Sequence, residues 1–393
     1  MSGPLHGLIV LDLTQLVQGP FATQILGDLG AEIIKVEPPK GDWMRHFALD
    51  NLYIEGESVS FMAFNRNKRS IVVDLKHEDG VNLIKRLAEK ADIVVENFRP
   101  GVMERLGVGY DTLSAINPRL IYCGSSGFGN SGPYVKRPGQ DILIQAMTGI
   151  ATLTGKGDDA PMVPGVSLAD LTAGLHIVYG VLAALYTREQ TGQGQRVDVN
   201  LYSSLLTYIT QEMGLFLNGG RAPQRSNAGI PNAYTGAPYG VYETADGHIA
   251  IGMNPLNKLA ALLGVDGYET VESNNVMDDR DAIKAQLAGA FRSRTTQAWL
   301  DILLAEDIWC GPVMSMADVE QDPQVAANEM IVSFDHPTAG TVRGMGIPVK
   351  FSQTPGTVRR PSPLKGQHSG DILREMGFAD DEIQRLTDEG VVQ

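Results

Sequence analysis

The sequence predicts an α/β fold: a doubly wound, Rossmann-like large domain built from both chain ends, with a smaller α+β domain between them. Three observations predict it. Short runs rich in branched apolar residues alternate with helix-period segments over roughly the first 125 residues. From about Arg225 the pattern changes to a hairpin followed by helices, and the Pro-rich last sixty residues read as a return to the first domain. The expected division is a large α/β domain over 1–200, a linker helix over 201–224, a small α+β domain over 225–330 and a C-terminal return over 331–393.

Element by element, "GLIVLDL" (7–13) reads as a buried strand, and "GPFATQILGDLG" has helical spacing and ends on Gly30, a C′ glycine. "AEIIKVE" (31–37) is the next strand, so this is a βαβ unit with parallel strands and a right-handed crossover. "SIVVDL" is a strand. "HEDGVNLIKRLAEKA" is a helix with acids in its first turn and bases in its last. "DIVVENF" and "RLIYCGSS" are strands with "GVMERLGVGYDTLSAIN" helical between them. A long helix runs from about Asp170 to Glu189, followed by the "TGQGQ" turn, the strand "RVDVNL" and another apolar helix. "PYGVYETADGHIAIGM" is a hairpin around Asp246-Gly247, with "PLNKLAALLG", "DRDAIKAQLAGAFRSR" and "TQAWLDILLAEDI" helical after it.

Composition narrows the functional classes. A chain of 393 residues with 43% hydrophobic and 20% charged residues is an ordinary globular protein with room for more than one domain. The opening "MSGPLHGLIVLDL" lacks the basic segment and cleavage site of a signal peptide. The apolar runs around Ile142–Leu153 and Ile177–Tyr186 are too short to span a bilayer. Cys123 and Cys310 alone imply no disulfide framework and a cytoplasmic setting. A net charge of −14 argues against nucleic-acid and membrane-surface partners. An anionic ligand therefore needs cations gathered locally.

Most motifs fail on inspection. "GFGNSG" (127–132) matches G-x-G-x-x-G after a strand, but Pro133 and a loop follow where a dinucleotide fingerprint opens a helix, so no nicotinamide or flavin is expected. The histidines are scattered with no pair at ligand spacing, so no metal is expected; His176, on an apolar helix, reads as a core or interface residue. No G-x-S-x-G elbow is present.

Asp170, in "PGVSLADLTAG", carries two readings. As a helix N-cap it needs no function. As a reactive carboxylate it has small neighbours, Gly165, Ala169, Ala173 and Gly174, that leave space for a ligand, and helix N–H groups that stabilise an oxyanion. Basic residues cluster in "PPKGDWMR", "NRNKRS" and "ENFRPGVMERLG". These segments lie after or between strands of one sheet, which suggests a polyanionic ligand at the strand ends.

With these residues in view the chain resembles the class III CoA-transferases, the carnitine–bile-acid group that includes formyl-CoA:oxalate CoA-transferase and α-methylacyl-CoA racemase. The resemblance rests on "LDLTQLVQGPFATQILGDLGAEIIKVEPPKGDWMR", "FNRNKRSIVVDLK", "VENFRPGVMERLG", "GFGNSGPYVKRPGQDILIQAMTG" and "TGQGQRVDVNLYSSLL", which cover most of the chain in order. It implies an interlocked homodimer, acyl-CoA and a small carboxylic acid as partners, CoA as co-substrate, and Asp170 as nucleophile. It further implies CoA contacts at Val17, Lys40, Val73, Lys76, Asn97, Phe98, Arg105 and Lys136, and substrate contacts at Gln140, Asp141 and Gly229.

Three departures from the family pattern bear on activity. "GQD" carries Gln140 where the racemase branch has a histidine, which favours transferase over racemase or epimerase. Pro38 stands where the formyl-CoA branch has a CoA-binding arginine, leaving Lys40 or Arg45 to substitute. "SNAGIPNAYTG" replaces a polyglycine loop over the active site, which argues against an oxalate-type acceptor; Arg137 or Arg225 is expected to pair with a dicarboxylate. The expected reaction is transfer of CoA from a short acyl-CoA to a mono- or dicarboxylate through aspartyl anhydride and aspartyl-CoA intermediates. A racemase using Asp170 as acid/base and a non-catalytic acyl-CoA-binding protein are the alternatives.

Overall fold

Six short strands, β1 (Ile9–Asp12), β2 (Glu32–Glu37), β3 (Lys68–Val72), β4 (Ile93–Glu96), β5 (Ile121–Ser126) and β6 (Arg196–Asn200), pair in parallel in the order β3-β2-β1-β4-β5-β6. The computed structural model describes residues 3–393. The strands carry apolar residues on both faces because both are covered. Leu11, Ile34, Ile71 and Val94 feed one core, while the neighbouring Val10, Ile33, Ile93 and Val95 feed the other. Strand order reverses between β1 and β4, the switch point at whose carboxyl ends open α/β sheets place their ligands.

Helix α1 (Gln18–Asp28) follows β1 and ends at Gly30, which takes φ +108°. Helix α2 (Glu78–Lys90) is capped by His77, whose Nδ1 accepts the Asp79 N–H at 3.2 Å. A short helix α3 (Asp141–Met147) precedes the long α4 (Leu168–Thr191), the crossover into β6. As one helix of 24 residues, α4 is long and apolar enough to cross a bilayer by length and composition, which the shorter apolar run did not suggest. Its Ala169, Ala173, Ile177, Val181 and Ala184 are buried. Its exposed stripe carries Leu175, Tyr179 and Tyr186.

The small residues of α4 serve packing rather than open space. Ala169 and Ala173 are fully buried, and a Cβ at Gly174 would lie 2.8 Å from Phe21 Cδ1 and 3.0 Å from Gln18 O. Close approach of α4 to the start of α1 requires a glycine there. Gly165 alone has no atom within 4 Å of where a Cβ would sit.

By backbone contacts the chain divides into Met1–Ile144, Ser167–Leu205 and Pro323–Gln393 as one unit, and Gln145–Val166 and Leu206–Asp322 as another. In the first unit the tail joins β3: Gly366 N–H donates to Ser70 Oγ at 2.9 Å, and Val392 bridges Val73. The second unit holds an antiparallel sheet of β7 (Gly240–Glu243), β8 (His248–Ile251) and β9 (Cys310–Pro312) against helices Leu256–Leu263, α5 (Arg280–Phe291) and Thr296–Ala305. Strand β9 and the hairpin Ile331–His336/Gly340–Met345 were not read from the sequence. The former has three residues and contains Gly-Pro, too short for alternation to register. "GVMERLGVGYDTLSAIN" forms two helices, Val102–Arg105 and Tyr110–Ile116, because Gly107 turns the chain at φ +75°.

Candidate active site

The carboxyl ends of β1 and β4 are tied together by one side chain. Asn97, just beyond β4, accepts the Gln15 N–H at 2.9 Å and donates to the Gln15 carbonyl at 2.8 Å. The bonded turn leads into Leu16, held at φ +69°, and Val17, which occupies the N-cap position of α1. Both backbone polar groups of Gln15 are thereby satisfied at the switch point. Asn97 thus braces the loop, with one bond at each end of its amide. The next residue, Phe98, is half-buried against the core, with its N–H donated to Glu96 at 2.8 Å.

Beneath this turn lies a buried ionic network. Asp12 at the end of β1 accepts from Thr14 N–H at 2.9 Å, Thr14 Oγ1 at 2.5 Å, Thr23 Oγ1 at 2.6 Å and Lys68 Nζ at 3.1 Å. Lys35 pairs with Asp42 at 2.8 Å and donates to Thr14 O at 2.9 Å. Burial raises the Asp12 carboxyl, but Lys68, Lys35 and the two hydroxyls pull it well below the usual carboxylate range. Burial takes Lys68 down to about 8 against the attraction of Asp12. The "NRNKRS" cluster is therefore structural rather than ligand-binding. Arg66 holds Asp28 through two bonds, Lys68 holds Asp12, and Arg69 holds Glu32 and Glu375. Their carboxylate partners are distant in sequence, so a local charge run gives no sign of them.

Arg45 belongs with this group. It binds Glu37 through Nε and Nη2, each at 2.7 Å, donates to Pro363 O and covers the Phe61 ring at 3.8 Å. It is committed to structure and is not a substitute for the arginine replaced by Pro38. Lys40 is exposed, and like Lys76, Arg105 and Lys136 its charged head makes no ion pair among the described residues. These four cations follow β2, β3, β4 and β5 respectively, on the carboxyl edge of the sheet. Val73 is a core side chain, 1% exposed, with its N–H donated to Glu37 O at 2.9 Å.

A crossover helix runs antiparallel to its strands, so the N-terminus of α4 also lies at the carboxyl edge. Asp170 is the third residue of α4, four before Gly174 and its contact with Gln18. It is not the cap. Ser167 occupies the N-cap position without a side-chain bond, and the capping acid is Asp141, whose Oδ1 accepts the N–H of Ala169 at 2.7 Å and of Asp170 at 3.1 Å. Gln140 stands immediately before α3, its carbonyl accepting from Leu143 and Ile144.

The half-buried Asp170 carboxylate accepts no hydrogen bond among the described residues. Burial and then the charge of Asp141 push it up to about 7. A carboxylate with no bonded partner, desolvated and beside another, is poised to gain a partner or to react.

Two groups at the same edge were missed. Gln18 Nε2 donates to Ser125 Oγ at 2.5 Å, joining the start of α1 to β5. Glu96, ending β4, is pushed up to about 7, chiefly by burial and also by Glu104, despite the opposing Phe98 N–H bond. Its place last in an apolar strand beside "NF" was the available signal.

Gly229 lies in the second unit, at φ +77°. There Arg225 donates to the carbonyls of Thr154 at 2.9 Å and Gly157 at 3.3 Å, and also to that of Asp159, so it is a loop brace and not a free cation for a dicarboxylate. Arg137, in the first unit, stacks on the Tyr134 ring at 4.0 Å.

Comparison with known proteins agrees with this architecture. The model of CoA-transferase family III matches residues 5–369. Acetyl-CoA:oxalate CoA-transferase of Acetobacter aceti is 39% identical over 383 residues, covering 95% of this chain and 96% of that protein. Succinyl-CoA:glutarate CoA-transferase of Mus musculus is 35% identical over 399 residues, covering 99% and 90%. A CAIB/BAIF family protein from Brucella suis superposes with a TM-score of 0.84 at 35% identity, covering 96% of this chain and 100% of that one. The chain belongs to CoA-transferase family III and is an enzyme of that class.

Proposed function

We propose that the protein moves CoA from a short acyl-CoA donor to a small mono- or dicarboxylate, with Asp170 as covalent nucleophile. The observation that carries the reading is the division of labour at the start of α4: Asp141 caps the helix and leaves the Asp170 carboxylate unbonded. In this mechanism Asp170 attacks the thioester carbonyl, forming a C–O bond and expelling CoA thiolate, to give a mixed anhydride. The thiolate attacks the Asp170 carbonyl, releasing the first acid and leaving an aspartyl-CoA thioester. The acceptor carboxylate then attacks that thioester, and the steps reverse to give the new acyl-CoA and free Asp170. Each intermediate keeps an activated acyl bond, so water must be excluded.

The exposed cations Lys40, Lys76, Arg105 and Lys136 are the groups this reading assigns to the CoA phosphates, with Val17, Val73, Asn97 and Phe98 shaping the adjoining backbone. The exposed Leu175, Tyr179 and Tyr186 on α4 support a homodimer that covers them. The test is intact-protein mass after mixing with short acyl-CoAs, with hydroxylamine trapping. A CoA- or acyl-sized adduct on wild type, absent in Asp170→Asn, is the expected result. Undiminished turnover in Asp170→Asn would overturn the assignment.

A further inference from the structure

The second unit holds two lysines that converge on one residue. Lys284, on α5, is only 5% exposed, and its Nζ donates to the Gly229 carbonyl at 2.6 Å. A Cβ on Gly229 would come within 3.3 Å of Lys156 Cε, so the stem of Lys156 lies against the same residue. Lys284 Nζ also stands 5.3 Å from the centre of the Tyr242 ring. Neither ammonium has an ion-pair partner among the described residues.

The acid in the cluster is already used. Asp281, one turn before Lys284, accepts the Asn227 N–H at 3.1 Å, the Ala228 N–H at 3.4 Å and the Ser226 hydroxyl, which pins the loop leading to Gly229. Asp159, near Lys156, accepts the Lys156 backbone N–H at 3.1 Å. Burial, and then the charge of Lys156, brings Lys284 down to about 8 against the pull of Asp281. The exposed Lys156 and the buried Lys284, which has N–H donors to spare, lie on the same glycine, and an anion there would satisfy both charges.

We propose that Lys156 and Lys284 form an oxyanion-binding site beside Gly229, taking a carboxylate or phosphate group. Two sources supply that chemistry: a carboxylate of a dicarboxylic acid, or a phosphate of the CoA moiety. Assigning the anion to a substrate rests on the transferase reading above; the binding does not.

The probe is pyridoxal 5′-phosphate with borohydride on the full chain, followed by peptide mass mapping. Its phosphate engages one lysine while the amine of the other condenses with the aldehyde and releases water. Hydride from borohydride then reduces the imine to a stable secondary amine. The expected result is label concentrated on Lys156 or Lys284, reduced at least about fivefold by a saturating protecting anion. Protection by glutarate but not pentanoate identifies a dicarboxylate; protection by CoA but not glutarate identifies its phosphate. Lys156→Ala and Lys284→Gln, the latter keeping a donor for the Gly229 carbonyl, should each lower labelling of the remaining lysine about fivefold with unchanged melting. Label spread over Lys40, Lys76 and Lys136 without enrichment at the pair, or label that no anion displaces, overturns the proposal. A wild type that is labelled and protected here but forms no Asp170 adduct would sink the transferase mechanism and leave the anion site standing.

Discussion

Asp141 Oδ1 accepts the backbone N–H of Asp170 at 3.1 Å, so one carboxylate caps α4 while the other rides on the turn it caps. The arrangement has an electrostatic consequence. Burial, and then the capping charge beside it, raise the Asp170 carboxyl to about 7. A raised carboxylate is a stronger base and a better nucleophile once ionised, at the cost of being ionised only above neutral pH.

The pH profile of turnover should show this directly. If ionised Asp170 attacks the thioester, kcat/KM rises with pH through about 7 and levels off above it. Asp141→Asn keeps an oxygen that can accept both N–H groups but removes the charge, so the acid limb should move down by about one unit. Rate–pH profiles of the two proteins that coincide would show that Asp141 does not tune Asp170.

Stability should respond with the opposite sign. Because the folded state favours the neutral acid, Asp170 contributes most below its unfolded pKa near 3.8, and that contribution is lost as pH rises through about 7. Asp170→Asn removes the titrating group without removing a cap. It should melt a few degrees above wild type at pH 8, corresponding to about 1–2 kcal/mol after solvent screening, and near wild type at pH 4. Melting curves at the two pH values decide it, and a variant less stable at pH 8 contradicts the desolvation argument.

Much of the large unit was legible because its signals are local. Branched runs, helix periodicity and Gly30 at a C′ position each lie within one element, and strands buried on both faces read as continuous apolar runs. What sequence could not supply was partnership across the fold. Arg45, Arg66 and Lys68 read as ligand cations because Glu37, Asp28 and Asp12 meet them only after folding. Asp170 was legible as a carboxylate at a helix start. That Asp141 frees it from capping was not, since Asp141 begins a different helix and the irregular segment between the two helices carries no periodic signal that joins them.

That distinction between buried and free cations gives a paired test. Lys68→Met leaves Asp12 and Lys35 in a fully buried network with one positive charge missing, and should cost about 3–5 kcal/mol. Lys40→Ala removes an exposed, unpaired side chain and should leave melting within about 1 °C while raising KM for the acyl-CoA several-fold. Thermal melts and donor kinetics on both variants separate the roles. A Lys68→Met protein as stable as wild type would contradict the structural assignment of "NRNKRS".

Asn97→Ala tests the switch point itself. The side chain satisfies both polar groups of Gln15, and its loss leaves a partly buried N–H and carbonyl without partners where Leu16 is already held at φ +69°. The expected cost is about 1–3 kcal/mol in stability. Because the freed loop carries Val17 into α1, it should also raise KM for the acyl-CoA more than it lowers kcat. Asn97→Asp keeps an acceptor for the Gln15 N–H but sets a charge against its carbonyl, so it should recover little of either loss. If Asn97 instead met the ligand and had no structural part, the alanine variant would melt like wild type while KM still rose. Melting temperature and donor KM, measured on the same two variants, distinguish a brace from a contact.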